Sequence, residues 1–199
     1  MAAALTCIWC VAQEAGDQVR AIDFVKETKK YSDMVDWTKQ TGIYGHSMGG
    51  AATSYNSADA DRIAKYNIGA AVHLHTNGAP GVKGALVPSF FASGSADTIA
   101  PARSVKKLYE MATKEKIFAE ITGASHFECQ SFEPPFMFPK HRWTPYVTSW
   151  FDCHLKKLDA SCTAAKNVCN DLPMTECEAA NADTTAPAEI AEKSVPYPA

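Results

Sequence analysis

The chain has 199 residues, 46% of them hydrophobic, which suits one globular domain with a sizeable core. Its 19 basic and 22 acidic residues leave a net charge of -3, and no Lys/Arg-rich stretch supplies a local field, so nucleic-acid binding has no electrostatic footing. No apolar run approaches membrane-spanning length, and 11 Gly with 11 Pro is too few for a collagenous or wholly disordered chain.

The first element, "ALTCIWCV" (4–11), is predicted as a fully buried strand, because its apolar side chains do not alternate with polar ones. No basic segment precedes it, so it makes a poor signal peptide. From Asp17, taken as an N-cap, Val19, Ile22, Phe24 and Val25 follow helical spacing. "TGIYG" is a short strand ending at Gly45, and "MGGAATSYNSADADRIAKY" continues as a small-residue helix with a more polar segment behind it. "IGAAVHLHT" is a buried strand broken by "NGAPG". "ALVPSFFASG" is another strand, with Pro88 tolerable near its start or on an unpaired side. "ARSVKKLYEMATK" is an amphipathic helix, "KIFAEITG" a fourth strand, and "SFEPPFMFPKHRW" a proline-broken loop. "YVTSWFDCHLKKL" closes the fold as a helix. Strands alternating with helices define the α/β class: a mostly parallel sheet with helices on both faces. Residues 1–178 form the domain, and 179–199, small, polar and dotted with proline, a disordered tail. The predicted first strand would flank the strand that ends at Gly45 on its outer side.

The stretch "GHSMG" carries the chemistry. A serine on a sharp strand-to-helix turn needs neighbours without side chains, a need assigned here to Gly45 and Gly49, and its hydroxyl is left exposed at the tip. The Met48 amide then opens the following helix, where it can face a developing oxyanion. Such a serine needs a base, and the base an orienting carboxylate. Asp97 follows the "LVPSFF" strand and His126 follows "KIFAEI", at spacings of 50 and then 29 residues. All three fall at the carboxyl ends of parallel strands, where open sheets carry their sites. His73 and His75 resemble a metal pair, but no third ligand is apparent, so a structural or pocket-lining role is assigned and no metal.

Of seven cysteines, Cys153, Cys162, Cys169 and Cys177 are spaced nine, seven and eight apart near the C-terminus. That pattern lacks the close Cys-x2-Cys knuckle of zinc sites and favours two disulfides, hence a secreted or otherwise extracytoplasmic protein. Three pairings are open.

"GHSMGGAAT", "ASGSADTIAP" and "ITGASHFE" together resemble the α/β-hydrolases of the cutinase-like and polyester-hydrolase group, which share features with chlorophyllases and dienelactone hydrolases. The resemblance runs from about Asp17 to Leu158. It implies an α/β-hydrolase fold and a serine carboxylic-ester hydrolase with Ser47 as nucleophile, Asp97 as acid, His126 as base and the Met48 amide as one oxyanion donor. It further implies His46 and His73 as walls of the acyl site, a small or polymeric ester as substrate and no cofactor. Neither nucleic acid nor stable membrane insertion is expected, and no oligomeric state is set. Members of the group place several strands and a second oxyanion donor ahead of the serine, whereas 46 residues precede Ser47 here. The expectation is therefore a hydrolase lacking its N-terminal part. The alternative is a hydrolase domain with little catalysis and an interaction role.

Overall fold

The computed structural model describes residues 2–76, 81–128 and 142–181, with side chains from Gln13 onward. Helix α1 spans Ala2–Glu27 and is followed by the single turn α2, Lys29–Ser32. Then come β1 (Thr41–His46), α3 (Met48–Ser57), α4 (Ala60–Tyr66), β2 (Ile68–Leu74), β3 (Ser89–Gly94), α5 (Ala102–Met111) and β4 (Lys116–Ile121). The described residues continue through α6 (Thr144–Lys156), α7 (Asp159–Lys166), α8 (Val168–Asp171) and β5 (Met174–Ala180).

The five strands lie in the order β1-β2-β3-β4-β5, the first four parallel and β5 antiparallel to β4. Side chains alternate across each strand, so the sheet has two faces with separate packing. One face carries Val72, Phe90, Ile117 and Ile121 against Trp143, Tyr146 and Trp150 from α6 and the residue before it. The other carries Phe91 and Phe118 against Val105, Leu108 and Tyr109 of α5. At the β1 end, Val19 of α1 packs with Ile43, Ala71 and Val87. β2 and β3 are buried along their whole length, which is why they are apolar without alternation. Pro88 sits immediately before β3, where no ladder amide is required of it, although its carbonyl accepts from Ala71 N.

Three expectations are corrected here. The segment 4–11 is not a strand but part of α1, and β1 is the outer strand of the sheet among the described residues. Periodicity cannot separate a short apolar run from a buried helix, and the alanines that lead into it, Ala2 to Ala4, favour helix. Asp17 is consequently no N-cap; it lies inside α1, paired with Arg20 one turn on. The expected domain end at Glu178 falls within β5, whose Ala179 and Ala180 pair with Ile117 and Lys116. Most of the tail, residues 182–199, and most of the proline-broken loop, residues 131–141, lie outside the described residues.

The four C-terminal cysteines form two disulfides, Cys153–Cys162 and Cys169–Cys177. The first ties α6 to α7, and the second ties α8 to β5. Lys106 of α5 adds ion pairs to Glu176 and Glu178 of β5, so the antiparallel strand is fastened from both sides.

Candidate active site

β1 ends at His46 and α3 begins at Met48, leaving Ser47 alone at the corner with φ 55° and ψ -117°. A non-glycine residue there is strained, and the corner persists because its surroundings hold it. Ser47 N donates to Leu74 O at 3.0 Å, and Ala51 N donates to Ser47 O at 3.1 Å to start the helix. A methyl group on Gly45 would run into the backbone carbonyl of Gly49, and one on Gly50 into the Thr76 hydroxyl. The expected role of Gly49 is therefore corrected: nothing lies within 4 Å of a methyl placed there, and Gly50 is the second glycine the turn requires.

Asp97 and His126 arrive from the loops after β3 and β4, both nearly buried. His126 Nε2 is 2.9 Å from Ser47 Oγ, and His126 Nδ1 is 2.9 Å from Asp97 Oδ2. The other carboxylate oxygen, Asp97 Oδ1, accepts the Ile99 and Ala100 amides at 2.9 and 2.7 Å. Burial alone would push the Asp97 carboxyl up, but hydrogen bonds from His75, the Ala100 amide and His126 outweigh it and hold the group down at about 2. It is an anion at any pH where a serine hydrolase works.

The sequence-predicted residues divide around this centre. Ser47, Asp97 and His126 are brought together. Met48 opens α3, so its amide has no acceptor within the helix. His46 Nε2 donates to the carbonyl of His126 at 2.7 Å, and its ring centroid is 4.6 Å from that of His126. It braces the histidine loop while forming part of the cleft wall, and burial lowers its pKa. His73 is corrected. It lies on the sheet face covered by α3 and α5, fully buried, stacked on Phe91 and hydrogen-bonded to Ser54 Oγ at 3.0 Å. It does not reach the serine.

Two features go beyond the sequence expectations: a cleft beside the serine, and a bond to Asp97 from His75, for which only a structural or pocket-lining role is expected. An open cleft of about 600 Å³ above Ser47 is walled by Glu14, Asp17 and Gln18 of α1 together with His46, Met48, Gly49 and Ala52. The i, i+3, i+4 spacing of those three α1 residues was the available signal that they share one helix face. The second is His75. Its Nδ1 is 2.9 Å from Asp97 Oδ2, the same oxygen that His126 uses. His75, Asp97 and His126 thus gather three ligand-type atoms within 4.8 Å. Their outer nitrogens already have partners, Ser47 Oγ for His126 and Trp143 Nε1 for His75, so the group is a hydrogen-bonded chain. Arg142 Nε donates to Glu128 Oε1 at 2.5 Å, joining the residue two beyond His126 to the residue before Trp143.

A mostly parallel sheet with a serine, imidazole and carboxylate chain at its strand ends defines a serine hydrolase of the α/β-hydrolase class. The model of the PET hydrolase-like (PETase) family matches residues 10–171, and the chain belongs to that family. Among the curated proteins no match is found.

Proposed function

We propose that Ser47 is the nucleophile of this ester hydrolase, His126 its general base and acid, and Asp97 the carboxylate that orients His126. The observation carrying this is the unbroken path from Ser47 Oγ through both nitrogens of His126 to Asp97 Oδ2, 2.9 Å at each step. His126 takes the Ser47 proton as the oxygen attacks the ester carbonyl. The Met48 amide meets the oxyanion at the start of α3, where the helix dipole adds to it. The imidazolium then protonates the leaving alcohol, and the neutral ring activates water to release the acid. No redox step or cofactor enters this sequence.

A small ester or the end of a polymeric one fits the open cleft, with His46 as one wall. The pair of disulfides supports a secreted or otherwise extracytoplasmic protein, since such bonds persist in oxidising compartments. No helix among the described residues is long and apolar enough to cross a membrane.

A fluorophosphonate should label Ser47 in the folded protein, and Ser47→Ala should abolish labelling and reduce ester turnover by roughly 10⁴-fold or more. Absence of label on folded wild-type protein overturns the assignment. On nitrophenyl esters of rising chain length, turnover should be highest for short acyl groups; activity confined to long chains would sink the small-ester reading.

A further inference from the structure

We propose that His75 is a positioning residue, which fixes the Asp97 carboxylate for His126 and draws off part of its charge through a second imidazole hydrogen bond. The proposal rests on the reading of Ser47, His126 and Asp97 given above.

His75 stands just beyond β2 with φ 48°, a left-handed backbone that is sterically costly for a residue with a side chain. Its amide donates to Ala92 O at 2.8 Å, which anchors the turn to β3. The ring is fully buried, so both nitrogens require partners. The Trp143 indole N–H is a donor only, and it lies 3.3 Å from His75 Nε2. Nε2 must therefore accept, which places the His75 proton on Nδ1 and directs it at Asp97 Oδ2, 2.9 Å away. The ring is a neutral donor whose tautomer is set by the tryptophan.

Asp97 Oδ2 then receives two imidazole N–H groups from rings inclined at 84° to one another. With Oδ1 held by two backbone amides, the carboxylate cannot rotate away from His126. A triad needs one imidazole on its carboxylate, so the second is additional. Its removal would leave the carboxylate freer to turn and more basic, and a more basic carboxylate favours the protonated form of His126. The acid limb of kcat/KM must then move to higher pH. The other ionisable groups around this centre are His46, whose ring is 6.0 Å from that of His75, the paired Glu128 and Arg142 between the His126 loop and the residue before Trp143, and Glu14 and Asp17 in the cleft wall. They are unchanged in every variant below.

The test follows kcat, KM and the pH profile of ester hydrolysis in the full chain and in H75F and H75N. H75F should lower kcat by about tenfold, with KM within about twofold, and raise the acid limb by about half a pH unit. In H75N the side-chain amide takes the place of Nδ1 and can donate to Asp97, so both effects should largely be restored. Wild-type kcat and acid limb in H75F, or no rescue in H75N, overturn the proposal; a purely structural histidine would alter stability without moving the limb. If H75F does not fold, ¹⁵N-histidine NMR of the wild-type protein decides the matter at pH 8. His75 must carry its proton on Nδ1; a proton on Nε2 overturns the proposal. Fluorophosphonate labelling runs alongside. Its failure on the folded wild type retires the Ser47 assignment, whereas labelling with the wrong His75 tautomer retires His75 alone.

Discussion

At the scale of single residues, the corner at Ser47 separates two glycines that look equivalent in "GHSMGG". Gly45 approaches the Gly49 carbonyl so closely that a methyl group would collide with backbone, which has nowhere to retreat. Gly49 faces open space in the first turn of α3. Gly45→Ala should therefore displace Ser47 and reduce ester turnover by about 100-fold or more, since small misplacements of a reacting group are expensive. Gly49→Ala should raise stability by about 0.5–1 kcal/mol, the usual gain from replacing a helical glycine. Urea unfolding and ester kinetics on the two variants check this pair, and a destabilised Gly49→Ala would show that α3 packs more tightly than its geometry implies.

Among the elements, those carrying the site were legible and those around it less so. β1, α3, β3 and β4 announce themselves because glycine, serine, aspartate and histidine each fall at the end of an apolar run. The triad is local chemistry on regular elements, so spacing finds it. His75 stands out in the sequence only as the second histidine of "HLH" at the end of β2, because its partner Trp143 lies 68 residues away and no local pattern couples them. The first residues of α1 are ambiguous for the reverse reason, being an apolar run too short for its period to decide between strand and helix. β5 was missed altogether. "MTECEAA" is polar and half exposed, and a strand of that kind exists only because β4 and a disulfide hold it. Cys169–Cys177 closes a loop of eight residues, and loops of that size contribute about 2–3 kcal/mol through the unfolded chain. The double variant Cys169→Ser, Cys177→Ser should lose about that much in urea unfolding, and amides of β5 should exchange faster than those of β3. Unchanged exchange in β5 would mean that the Lys106 ion pairs suffice to hold the strand.

Across the whole molecule, the buried histidines set how stability responds to acid. Burial lowers the pKa of His73 to about 3 and also lowers those of His46 and His154. For each, the unfolded chain gains a proton below about 6.5 that the folded chain refuses, so stability falls as pH drops from there toward the folded value. Asp97 acts in a lower window. Its folded pKa of about 2 lies below the ordinary 3.8, so its contribution is intact above 3.8 and disappears between there and 2. Measurements at pH 4.5 therefore expose the histidines while leaving Asp97 nearly silent. Between pH 6.5 and 4.5 the His73 share is about 2 kcal/mol, because its proton deficit is almost complete over those two units. His73→Gln removes the titrating ring from beneath α3 and leaves His46 and His154 in place. The variant will be less stable than the parent at pH 7, having lost the stack on Phe91 and the bond to Ser54. Its stability should nevertheless decline less on acidification, by that same 2 kcal/mol or so over the interval. Urea unfolding of both proteins at pH 6.5 and 4.5 gives the comparison directly. Parallel declines would show that His73 accepts a proton in the folded state, and hence that the space around it under α3 admits water.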